Sequence, residues 1–102
     1  MIEILELIHS PKADKRFRIT LDIDGNIKHW DFGAKNGSTF LDHHDERKRA
    51  AYWARHLGNL TERRRIEDLE PSAALFSAYL LWGDSPDLFQ NLVHLNSLFQ
   101  QK

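Results

Sequence analysis

From Lys15 to Leu21 the chain alternates, with Phe17, Ile19 and Leu21 on one side and Arg16, Arg18 and Thr20 on the other. That period of two predicts a half-buried antiparallel strand. Asp24-Gly25 follows, a strong hairpin signal because Gly accepts a positive φ without steric cost. The returning strand, Asn26 to Phe32, puts Lys28, Trp30 and Phe32 on one face and Ile27, His29 and Asp31 on the other. With Trp30 and Phe32 in the core, His29 is exposed. Upstream, Ile2, Ile4, Leu5, Leu7 and Ile8 alternate only in part before slipping, so a first strand competes with a short helix there. Ser10 to Asp14, with Pro11, reads as a turn.

Beyond Gly33 the period changes. After the loop Asn36-Gly37-Ser38, a helix is expected over about 42–57, capped by Asp42 or Asp45 and ended by Gly58. On a helical wheel Ala50, Trp53, Ala54 and Leu57 share one sector, predicted to face the sheet. Asp45, Lys48, Arg49, Tyr52, Arg55 and His56 share the opposite sector, predicted to be free. Leu60 to Asp68 is charged and unpatterned, a linker or an extra helical turn. A second helix is expected over 71–82; its AALFSAYLLW run is apolar almost all round, which predicts burial. A third is expected over 86–100, with Ser85 as cap and Pro86 in the first turn, carrying Leu88, Leu92, Leu95 and Phe99 on one stripe with Phe89 and Val93 beside it. Strands first and helices afterwards predict an α+β fold: a β-hairpin or three-stranded sheet over 1–33 packed against three helices. Phe17, Ile19, Leu21, Trp30, Leu57, Leu81 and Leu95 are expected to share one core.

The 102 residues suit a single domain, 1–102. There is no Cys, so neither a thiol nucleophile nor a thiolate metal site is available. The N-terminal apolar run is interrupted by Glu3 and Glu6 and lacks a basic start, so secretion and membrane insertion are not expected. The net charge of −1 is unevenly spread. Residues 43–65 hold seven Lys and Arg against three Asp and Glu, whereas residues 66–102 hold one against five. This basic belt and acidic tail either steer a partner or neutralise each other within the fold.

Several short motifs recur in a known pattern. Phe32-Gly33-Ala34-Lys35 is followed by Ser38, Phe40, His43 and Asp45, then Tyr52, Ala54, Arg55 and His56, and finally Leu80-Leu81-Trp82 and Pro86. Over roughly residues 15–99 the chain thus resembles a family of small proteins of unknown function encoded by large double-stranded DNA viruses and some phages. It departs from that pattern at Ala78 and Tyr79, where the resemblance leads one to expect a basic residue and more Trp. The resemblance implies a viral origin and a component of the virion, located in the particle or the host cytoplasm; it supplies no activity.

Candidate chemistry concentrates on His43, Asp45, Tyr52, Arg55 and His56, where acid, base and donor could assemble. The plainer expectation is a helix cap at Asp45, cations near a helix C-terminus, and at least one of Tyr52, Arg55 and His56 bonded to the backbone of the loop Gly33–Phe40. Asp42, His43, His44 and Asp45 offer metal-ligand types, but neighbours on a helix point about 100° apart and converge poorly, so neither a metal nor another cofactor is expected. Arg47, Lys48, Arg49 and Arg63 to Arg65 could track phosphates, with Tyr52 or Trp53 stacking a base. Trp30, Trp53, Phe76, Tyr79, Trp82, Phe89 and Phe99 read mainly as core, with Trp82 the best candidate for a partner patch. The leading expectation is a non-enzymatic protein acting through contacts with other viral or capsid proteins. A nucleic-acid-binding accessory protein is the alternative, and a nuclease using His43, Asp45 and His56 comes third.

Overall fold

A computed structural model describes residues 1–101. Strands β1 (Ile2–His9), β2 (Lys15–Ile23) and β3 (Asn26–Ala34) form an antiparallel meander in the order β1-β2-β3. Five helices follow: α1 (Phe40–His43), α2 (Glu46–Leu57), α3 (Leu60–Glu67), α4 (Ala73–Phe76), which continues as a π-helical turn over Ser77–Leu81, and α5 (Leu88–Gln101). The fold is α+β, as the order of periodicities predicts.

The strand register explains the patterning. Phe17 pairs with Phe32, Ile19 with Trp30 and Leu21 with Lys28. These positions share the inner face, and Phe17, Ile19, Leu21 and Phe32 are buried. The hairpin turns at Asp24 (φ 52) and Gly25 (φ 91), the paired left-handed residues that match strand twist. The slip in β1 is a β-bulge: the register shifts between Ile4 and Glu6, leaving Leu5 without a partner on β2. Ile2, Ile4 and Leu7 can therefore all reach the core side, although their spacing breaks alternation.

The inner face is covered by the α4–π segment and α5. Phe17, Ile19, Leu21, Phe32, Leu75, Phe76, Leu80, Leu81, Leu95 and Phe99 form the main core, with Trp30 packed against it. Leu57 does not join them. With Trp53 it packs on a second cluster, Tyr52, Ile66 and Ala78. The segment 75–82 feeds both clusters, which is why its sequence is apolar all round.

The helices after the sheet depart from expectation in four respects. The single helix expected over 42–57 is two, because His44 adopts a left-handed φ of 54 between α1 and α2. The charged stretch after Leu60 is a full helix, α3, capped by Asn59. Helix α2 also turns a different face inward. Tyr52 is buried, Arg49 and His56 are half-buried, and Ala50 and Ala54 are exposed. It packs on α3 and the central segment, not on the sheet. In α5, Phe89 and Val93 lie outside the core, and the cap is Asp87, which accepts the Phe89 and Gln90 N–H groups, rather than Ser85.

Leu81→Ala should cost about 2–5 kcal/mol, the usual penalty for emptying a fully buried leucine site, and urea denaturation would measure it. A Cβ at Gly83 would lie 2.2 Å from the Tyr79 carbonyl oxygen. Gly83→Ala is therefore expected to destabilise by about 1–3 kcal/mol through overpacking, in the same assay.

Candidate functional site

The backbone at the end of the π-helical turn is the junction on which the helices meet. A helix that ends inside a fold leaves carbonyls needing donors. Here three side chains from two other helices supply them. Asn91, buried on α5, donates from Nδ2 to the Leu80 carbonyl (3.1 Å) and the Ser85 carbonyl (2.7 Å), and its Oδ1 accepts the Ser85 N–H (3.1 Å). Trp53 Nε1 donates to the Trp82 carbonyl at 2.7 Å, and Arg49 Nε reaches the Gly83 carbonyl at 2.7 Å. Arg49 also donates to the Asp84 carboxylate at 2.7 Å. Arg49 and Trp53 are one turn apart on α2, so this junction dictates which face of α2 turns inward.

That rotation assembles a column of rings. His43 packs on Trp82 (centroids 5.3 Å apart), Trp82 stacks on Tyr52 (4.5 Å, interplanar angle 4°), and Tyr52 packs on His56 (4.1 Å). Beyond it, His56 Nδ1 bonds the Glu62 carboxylate across the α2–α3 joint. The sequence-selected His43, Tyr52, His56 and Trp82 are thus brought together, with Glu62 as the member that the sequence reading missed. Tyr52, His56, Glu62 and Trp82 line a cleft of about 760 Å³ whose opposite wall is the loop from Gly33 to Thr39. Burial, and secondarily the charge of Glu62, push the Tyr52 hydroxyl above its ordinary pKa, so it remains a protonated donor.

The remaining residues of the constellation stand elsewhere. Asp45 caps α2 by accepting the Arg47 and Lys48 N–H groups (2.9 and 3.2 Å). Its own N–H donates to His43 Nδ1 at 2.9 Å, pinning the bend between α1 and α2. Two rings separate His43 from His56, so these histidines and Asp45 do not share a reaction space. Arg55 is exposed. Among the described residues, no group of three or more His, Asp or Glu is arranged to hold a metal ion, and no helix is long and apolar enough to cross a membrane.

The expected anchoring of the loop by Tyr52, Arg55 or His56 is not found among the described residues. Arg16 does this work from β2, with a bidentate pair to Asp42 (2.8 and 2.9 Å) and a bond to the Thr39 hydroxyl (3.2 Å). Asp42 in turn accepts the Thr39 N–H at 2.8 Å. On the outer face of the sheet, Asp31, only 5 % exposed, accepts from Arg18 and from the Ser10 hydroxyl (2.6 Å). These charge-assisted bonds hold both carboxyls well below their usual range, at about 2.

The basic belt is partly neutralised by the acidic last third. Arg49 pairs with Asp84, Arg63 with Glu67 and Arg64 with Asp68. Arg47, Lys48, Arg55 and Arg65 are exposed and have no ion-pair partner among the described residues.

A second surface is apolar. Strand β1 is an edge of the sheet, and Met1, Leu5 and Ile8 are exposed along it. Helix α5, which packs beside it, contains no Asp, Glu, Lys or Arg in 14 residues. Its outward stripe carries Phe89 (70 % exposed) and Val93 (54 %). Ile4, Leu92, Val93 and Asn96 line a shallow groove of about 190 Å³ between strand and helix. The Asn96 Oδ1 is buried and has no hydrogen-bond partner among the described residues.

Residues 5–56 match a family of unknown function, DUF5754. The chain belongs to that family. The DUF5754 match runs from β1 into α2, so it contains the Phe32-Gly33-Ala34-Lys35 motif, His43, Asp45, Tyr52 and His56. Glu62 and Trp82, which complete the ring column, lie beyond it. No curated protein and no solved structure matches the chain.

Arg49→Ala should cost about 1–3 kcal/mol by stranding the carbonyls at the junction, whereas Arg47→Ala should change stability by less than about 0.5 kcal/mol; paired chemical denaturation curves would separate the two. The depressed carboxyls of Asp31 and Asp42 give stability that is present above the ordinary carboxylate range near pH 4 and is lost as pH falls toward about 2. Asp31→Asn should flatten that acid limb of the stability profile, as followed by thermal melts from pH 5 to about 2.

Proposed function

We propose that this protein is non-enzymatic and acts through protein–protein contacts, with the β1–α5 surface as its docking face. The observation that carries this is the composition of α5. In a chain whose residues are 28 % charged, one surface helix carries no formal charge and exposes a phenylalanine and a valine on a single stripe. Depletion of charge around exposed aromatic and aliphatic residues is characteristic of the centre of an interface.

The wider context of this reading, a minor structural component of a virus particle whose partners are other viral or capsid proteins, rests on the motif resemblance over residues 15–99. A second reading, nucleic-acid binding, retains Arg47, Lys48, Arg55 and Arg65 as exposed cations without carboxylate partners. It requires affinity for DNA or RNA that falls steeply with salt.

Phe89→Asp tests the leading reading. Phe89 is exposed, so the variant should fold with nearly unchanged melting yet lose the proteins that co-purify with the wild type from the cells that make it. An unchanged set of associated proteins would refute this use of the surface.

A further inference from the structure

The outer edge of β1 carries a regular set of backbone groups that no strand covers. Within the sheet, the Met1 carbonyl accepts from Asp24 and the Ser10 N–H donates to Arg16, so both of these groups point toward β2. Backbone groups on a strand alternate in direction. Ile2 and Ile4 therefore present their N–H and C=O groups to the open edge, as do Leu7 and His9 after the bulge at Leu5 has shifted the alternation. Only the Ile2 carbonyl has a side-chain partner among the described residues, the Gln100 amide of α5 at 2.9 Å.

The bulge makes this pattern symmetric. Ile2, Ile4, Leu7 and His9 lie opposite Ile23, Leu21, Ile19 and Phe17 and so share the inner face. Glu3, Glu6 and Ile8 lie opposite Asp22, Thr20 and Arg18 on the outer face. If the strand is laid antiparallel to a copy of itself about the midpoint between Leu5 and Glu6, Ile2 meets His9, Ile4 meets Leu7, and Glu3 meets Ile8. Each of these pairs agrees in face. The outward-bonding residues Ile2, Ile4, Leu7 and His9 also meet only one another. A strand of eight residues with unbroken alternation could not satisfy either condition in this register, because opposed residues must have the same parity.

We propose that the partner at this edge is a second copy of the chain, joined β1 to β1 across a two-fold axis so that the two sheets become one of six strands. This rests on the reading of the β1–α5 surface given above and names its occupant. The register places no acidic residue directly opposite another, with Glu3 and Glu6 of the two copies only diagonal to one another, and β1 contains no Lys or Arg to blunt its edge. The two-fold also brings each uncharged α5, whose Val93 lies beside Ile4 of β1, toward the joint without like-charge repulsion.

The register gives a charge-specific test. Ile8 is exposed and faces Glu3 of the other copy. Light scattering after size exclusion of the purified full chain should give twice its 12.0 kDa mass. Ile8→Glu should weaken association by about tenfold or more through two repeated like-charge contacts, whereas Ile8→Lys should retain the dimer, with both variants melting like a folded domain. Hydrogen exchange should show the Ile4 and Leu7 amides protected in the wild type and open in Ile8→Glu. A wild-type chain that stays monomeric up to its solubility limit would overturn the proposal. So would a dimer indifferent to both substitutions, or one lost equally in both. A monomer that still captures partners in a Phe89-dependent way would leave the docking reading standing and remove only the second copy.

Discussion

The carbonyls of Leu80, Trp82 and Gly83 are the constraint from which the arrangement of the helices follows. A helix that stops in the middle of a fold must find donors for its last carbonyls. Asn91 brings in α5, and Arg49 with Trp53 brings in α2. The π-helical turn is part of the same solution. It changes the phase of the side chains after Ser77, so that Leu80 and Leu81 enter the sheet core while Ala78 enters the cluster with Tyr52 and Ile66. Gly83 is required because its α-carbon lies against the Tyr79 carbonyl and the Asn91 side chain, leaving no room for a Cβ.

The same junction positions the candidate site. With Arg49 and Trp53 committed to backbone carbonyls, Tyr52 is driven under α2 onto the face of Trp82, and His56 follows one turn later. The ring column is thus a consequence of helix capping rather than a separately built constellation. At its ends, His43 Nδ1 holds the bend between α1 and α2 and His56 clips α2 to α3 through Glu62, while the buried His43 Nε2 has no hydrogen-bond partner among the described residues. A different set of uncommitted groups lies along β1 and α5. Apolar side chains flank an open strand edge there, and the neighbouring helix is free of charge. Docking chemistry is therefore better supported there than acid–base chemistry in the cleft.

Charge is handled in part within the fold. The excess of cations in residues 43–65 and the excess of anions beyond them meet as Arg49–Asp84, Arg63–Glu67 and Arg64–Asp68. Pairs as exposed as the last two contribute little to stability. Their effect is to lower the potential that the belt would otherwise project, while Arg47, Lys48, Arg55 and Arg65 remain exposed.

By itself the sequence determined the elements whose signals are local. The alternation of Phe17, Ile19 and Leu21, the Asp24-Gly25 turn, the break in β1 near Leu5 and the fully apolar segment before Gly83 each reflect backbone geometry acting over a few residues. The sequence therefore specified the β2–β3 hairpin, its inner face and the buried central helix, while leaving β1 open between a strand and a short helix. The tertiary structure alone decided which face of α2 is inward, because that depends on distant carbonyls needing Arg49 and Trp53, and a hydropathy wheel scores arginine as solvent-facing and alanine as core. It also decided that Arg16 rather than Arg55 holds the loop, that Glu62 completes the ring column, and that Leu57 leaves the main core. In each case a long polar or aromatic side chain reaches an element far away in the chain, and no spacing along the sequence encodes that reach.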